Sequence, residues 1–89
     1  MFLSKRITNF SDVEFEIVNE DFFTFITTRF NRIRARYPSL TLEEAIEDAR
    51  AWAERFYYEM AGVPMPRKDR ARVDAHLKKL EAEVRGREG

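Results

Sequence analysis

Residues 41–62, TLEEAIEDARAWAERFYYEMAG, decide the fold. Thr41 and Glu44 stand in T-x-x-E order, the capping box in which each side chain satisfies the other's free backbone N–H. Leu42, Ala45, Ile46, Ala49, Trp52, Ala53, Phe56, Tyr57 and Met60 then recur at spacings of three and four. That period keeps one face of a helix apolar over its whole length. Gly62 falls where a left-handed cap ends a helix. The spacing predicts a helix over 42–61. Its small residues, Ala45, Ala49 and Ala53, would let another helix approach closely.

Upstream, Pro38 sets a boundary, because the residue before a proline is pushed out of the α region. Asn19 is a natural N-cap, with Glu20 and Asp21 placed to complement the helix dipole. Between them Phe22, Phe25, Ile26, Phe30, Ile33 and Tyr37 form a wide apolar face, and a helix over about 20–37 is predicted. Thr24, Ile26, Thr27 and Thr28 favour strand and run against this reading. Residues 13–18 alternate Val13, Phe15 and Ile17 with Glu14 and Glu16, the period of a half-buried strand. A helix starting at Ser11 with Glu14 as its box partner is the rival. Continued to residue 37, that helix would turn Val13 and Ile17 away from the later apolar face, so the strand is preferred. A lone strand needs a partner. Residues 2–8, after a turn at Asn9-Phe10-Ser11-Asp12, or another chain could supply it.

Downstream, Val63-Pro64-Met65-Pro66 reads as a stiff linker. A third helix is predicted over 69–85, capped by Gly86. Its stripe of Val73, Leu77, Leu80 and Val84 is narrow, and its 4-3-4 spacing resembles a coiled-coil seam. Asp74 with Lys78 and Glu81 with Arg85 are spaced for i,i+4 pairs. The expected class is mainly α: a short N-terminal strand or hairpin followed by three helices in a small bundle. Residues 1–89 are expected to form one domain, with 67–89 either docked on it or projecting toward a second chain.

The chain has 89 residues, enough for one domain and few for two. Apolar residues at 44% exclude a disordered class, and sixteen basic residues balance sixteen acidic ones, which argues against coating nucleic acid by bulk charge. No cysteine is present, so disulfides and thiolate metal sites are excluded. No apolar run approaches the ~18 residues of a membrane span. Met1-Phe2-Leu3-Ser4-Lys5-Arg6 is followed by no apolar segment of the kind a signal peptide carries. A cytoplasmic location and no membrane partner are expected.

Chemistry is sparse. His76 is the only histidine, and Gly62, Gly86 and Gly89 are isolated, so neither a histidine-based triad nor a phosphate-cradling loop can be assembled. Glu43, Glu44, Glu47 and Asp48 could grip a cation but lack the histidines of a di-iron bundle, and they suit a helix N-terminus. No enzyme, cofactor, metal or small-molecule substrate is expected.

Partners are the remaining function. Eight phenylalanines exceed what two helices and a strand would cover, which suggests a homodimer or an obligate protein partner. Phe23, the outward Tyr58, and the Val73, Leu77, Leu80, Val84 stripe are the candidate protein interface. The alternative is a small DNA-binding regulator. It would use Arg29, Arg32 and Arg36 on the first helix, with Arg34 beside them, and Arg67, Lys68, Arg70 and Arg72 on the third. The second cluster opposes its helix dipole, a local conflict that function can explain. Strand–helix–helix order is similar to that of ribbon–helix–helix DNA binders, but the outward strand residues here are Glu14 and Glu16, which phosphates repel. Arg36-Tyr37 with Glu44-Ala45-Ile46-Glu47 resembles a stretch of the small theta subunit of bacterial DNA polymerase III. That resemblance spans only residues 36–47 and implies no more than a small helical accessory subunit as a class.

Overall fold

Each helix starts where a side chain or a proline can satisfy the first turn. A computed structural model describes residues 16–88, and these contain helices α1 (Glu20–Arg36), α2 (Leu42–Ala61) and α3 (Arg67–Glu88). The Asn19 side chain accepts a hydrogen bond from the Phe22 N–H at 3.0 Å and opens α1. Tyr37 closes it, donating its N–H to the Ile33 carbonyl at 2.9 Å. Both halves of the capping box are made at α2: Glu44 N–H to Thr41 Oγ1, 3.1 Å, and Thr41 N–H to Glu44 Oε1, 2.9 Å. At its other end Gly62 adopts φ +77°, the left-handed region where a Cβ is strained.

The third helix is longer than its sequence signals predict. It begins at Arg67 rather than Asp69, because the Pro66 carbonyl already accepts a bond from the Arg70 N–H at 2.9 Å. Asp69 then lies in the first turn, where its carboxylate offsets the dipole mismatch of Arg67 and Lys68. Gly86 is not a cap; the helix runs through it to Glu88.

The strand expected over 13–18 is corrected in its described half. Ile17 and Val18 form a bend in which the Asn19 N–H donates to the Ile17 carbonyl at 3.0 Å. Val18, not Ile17, is fully buried, and it sits just before the N-cap, where an apolar side chain staples a helix start. The rest of that expectation, residues 13–15 and any hairpin with 2–8, lies outside the described residues.

Contacts fix the topology. Phe22 meets Phe56, and Arg29 meets Asp48, so α1 and α2 are antiparallel. Arg50 reaches Asp74, and Arg85 reaches Glu43, so α2 and α3 are antiparallel as well. Phe23 with Arg72 and Thr27 with His76 then put α3 parallel to α1. The result is an up–down–up three-helix bundle. Its core takes Phe22, Ile26 and Phe30 from α1, Ala45, Ile46, Ala49, Ala53 and Tyr57 from α2, and Val73, Leu77, Leu80 and Val84 from α3. Val18 and Met65 close it at the connections. Among the described residues no charged side chain is buried and no buried side-chain polar atom lacks a partner.

Of the two dispositions left open for the third helix, the described residues 67–88 take the docked one. The Val73–Val84 stripe is narrow because α3 lies along the groove between two helices of its own chain. Ion pairs flank it: Arg50 to Asp74 at 2.9 Å, Arg70 to Glu54 at 3.6 Å, and Arg85 to Glu43 at 3.2 Å. Glu81 pairs with Arg85 as its spacing predicts, at 2.9 Å, but Asp74 turns to Arg50 on α2 instead of to Lys78.

Candidate docking face

The apolar residues of α1 span more of its circumference than the core can take. Phe22, Ile26 and Phe30 point inward, and Phe25 lies about 100° away, on the side facing α2. On α2, Trp52 and Phe56 occupy the matching edge. Their rings stack at 5.0 Å with 13° between planes, and Phe56 continues onto Phe22 at 5.6 Å. Phe25 meets Phe56 edge-on at 6.0 Å and 86°, the orientation that ring quadrupoles favour.

This ladder is open to water on its outer side. Phe25 is 48% exposed and Met60 58% exposed, while Trp52 and Phe56 are half-buried. A depression of about 300 Å³ lies at one end, lined by Glu16, Ile17, Asp21, Phe25, Phe56 and Met60 among others. A second, of about 370 Å³, lies at the other, lined by Thr24, Phe25, Thr28, Arg29, Arg32 and Trp52. Phe25 is common to both, so the two form one continuous face along the α1–α2 edge.

The sequence-predicted interface residues are not brought together. Val73, Leu77, Leu80 and Val84 are buried in the core and leave no seam for another chain. Phe23 packs in the α1–α3 groove, half-buried, with the His76 ring 5.0 Å away and the Arg72 guanidinium 5.4 Å over its ring. Tyr58 is exposed, as expected, but stands on the outer side of α2, away from the Trp52–Phe56 edge. Sequence spacing assigns Phe25, Trp52, Phe56 and Met60 to the apolar faces of the first two helices without singling them out from the core residues. The signal for them was the excess width of the α1 stripe.

The two basic clusters do not form one footprint. Arg29–Arg36 lie at the C-terminal end of α1 and Arg67–Arg72 at the N-terminal end of α3, and those ends are at opposite poles of parallel helices. Several of these cations are also engaged. Arg29 binds Asp48 at 3.0 Å, Arg72 binds Glu16 at 2.8 Å and Asp69 at 3.6 Å, and Arg70 lies 3.6 Å from Glu54. Arg36 stacks over Tyr37 and Arg34 over Phe30. Arg32, Arg67 and Lys68 make no ion pair among the described residues.

His76 is a structural link. Its Nε2 and the Thr27 hydroxyl lie 2.8 Å apart in a hydrogen bond that ties α3 to α1. Burial lowers its pKa from the ordinary value and Lys79 lowers it further, against opposing effects of Glu83 and the Phe23 backbone. The unfolded chain, with an ordinary value of ~6.5, therefore binds the proton more readily than the fold. Stability is full above that pH, falls as pH drops below it, and levels off once folded His76 is itself protonated. Urea midpoints measured at pH about 7.5 and about 5.5 should fall more for the wild type than for His76→Gln. Equal falls would show that other groups carry the dependence.

No group of three or more His, Cys, Asp or Glu side chains converges as a metal site among the described residues. None of the described helices is long and apolar enough to cross a membrane. Compared with known protein families, curated proteins and solved structures, the chain matches none.

Proposed function

We propose that this protein is a non-enzymatic interaction module that docks on a protein surface through the aromatic α1–α2 face, in a cytoplasmic setting. One observation carries the reading. The bundle core is filled by other residues, yet Phe25 and Met60 are left about half exposed beside the stacked Trp52 and Phe56. Aromatic residues and methionine are the types enriched where proteins meet, and aromatic ladders present large rigid area at low entropic cost. Asp21, Arg32 and Glu16 on the rims give the polar border of such a face.

Met60 and Met65 provide an internal comparison, since Met65 is only 4% exposed. Hydroxyl-radical footprinting of dilute full-length protein should oxidise Met60, Trp52 and Phe25 readily and spare Met65. Equal protection of Met60 and Met65 in dilute protein would mean the chain covers this face itself, and the docking reading would fail.

A further inference from the structure

We propose that the partner on this face is a second copy of the chain, with the two α1 helices crossing antiparallel about a twofold axis between Phe25 and Thr28. This rests on the reading of the α1–α2 edge as a docking face. Asp21, Phe25, Thr28 and Arg32 are all solvent-facing on α1, apart from the part of Phe25 against Phe56. Their spacings of four, three and four carry the line through about three turns, so it returns to the same side of the helix. The stripe is symmetric in its spacing about its midpoint and opposite in charge at its two ends.

That pattern is self-complementary in one orientation only. Turned antiparallel, Asp21 of one copy meets Arg32 of the other at both ends, and each Phe25 lies over the other copy's Thr28. Turned parallel, acid meets acid and base meets base. A twofold contact needs this isologous kind of match, in which one patch serves both copies. Asp21 and Arg32 are also among the charges not matched within the described residues, as Arg67 and Lys68 are. Arg29, Arg50, Arg70, Arg72 and Arg85 all have carboxylate partners within the chain, whereas Asp21 and Arg32 make no ion pair among the described residues.

Shape agrees with charge. Phe25, Thr28, Arg29 and Arg32 stand at i, i+3, i+4 and i+7, the four-residue hole that receives a knob from a facing helix. The depression of about 370 Å³ lies there, with Thr24 and Trp52 completing its wall. The small Thr24 and Thr28 let a second helix come close, and the knob offered by a symmetric copy is Phe25. Seventeen residues of α1 run about 26 Å. With the neighbouring edge of α2 the footprint is on the order of 500 Å², near the ~600 Å² per partner at the lower end of stable interfaces.

Sedimentation velocity of the full chain from low micromolar to near-millimolar concentration tests this, with footprinting on the same samples. A monomer–dimer equilibrium is expected, with Met60, Trp52 and Phe25 losing reactivity as dimer forms. Phe25→Ala should weaken dimerisation about tenfold or more, as an anchor in a pocket does. Asp21→Lys and Arg32→Glu should each weaken it, and the two together should restore it, because the swapped charges again meet their opposites. All three positions are exposed, and Asn19 and Glu20 still cap and complement α1 when Asp21 is exchanged, so helicity by circular dichroism should change little. A monomer at every concentration overturns the proposal. So does a dimer indifferent to Phe25→Ala, or one the double exchange fails to restore. A monomer whose face stays reactive rejects self-pairing alone, whereas a monomer whose face is protected rejects the docking reading too.

Discussion

Leu77→Ala should destabilise the fold by about 2–5 kcal/mol, the cost of removing a buried leucine and leaving a cavity. Leu77 is fully buried at the middle of the α3 stripe, with Val73 and Leu80 beside it. A domain of this length has a total stability of roughly 4–13 kcal/mol, so a single truncation takes a large share. The melting temperature should fall by about 10 °C or more, since each kcal/mol moves it by about 4–8 °C at this size. Lys78→Ala, one position along and exposed, should change stability by less than about 0.5 kcal/mol. The comparison decides what the stripe is for. If α3 were a strut for another chain, Leu77→Ala would change association and spare the melting of the bundle. A melting temperature that stays put, with altered oligomeric state, would contradict the packing described above.

Helices were legible wherever a backbone cap was written into side chains. Thr41 with Glu44 and Gly62 mark both ends of α2, and Asn19 with Pro38 mark those of α1. The structure agrees to within a residue at each. Over the described residues 16–18 the alternating pattern misled, because an apolar side chain also precedes a capped helix and so few residues cannot separate the two. The position that the core takes is Val18, one residue off the alternating register.

The site was harder to read, for a physical reason. A narrow apolar stripe has the same spacing whether the groove it fills belongs to its own chain or to another. Contacts between helices, such as the ion pairs from Arg50, Arg70 and Arg85 and the Thr27–His76 hydrogen bond, distinguish the two, and pairing across helices leaves no fixed spacing in the sequence. The exposed ladder was hidden by the same ambiguity. Phe25, Trp52 and Phe56 are apolar residues at helical spacing, and which of them the core leaves outside depends on how closely α1 and α2 approach.

The buried alanines of α2 make Ala49→Leu the second large effect. Ala45, Ala49 and Ala53 are fully buried, although an alanine offers little apolar surface of its own. They are small because backbone and side chains of the neighbouring helices fill the space that larger residues would need. A leucine at 49 must displace those neighbours, at about 1–3 kcal/mol or more. Ala51→Leu is the matched control, since residue 51 is exposed on the same helix. Alanine and leucine are both strong helix formers, so intrinsic helix preference contributes little to either substitution. Burial of the added apolar surface would favour Ala49→Leu over Ala51→Leu, so a loss at 49 reports the packing cost and not the change in apolarity. Chemical denaturation should show Ala49→Leu lowered by the full packing cost and Ala51→Leu within about 0.5 kcal/mol of the parent. Equal midpoints would mean that the α2 face has room for a leucine. The tight packing around Ala45, Ala49 and Ala53 would then have to be abandoned.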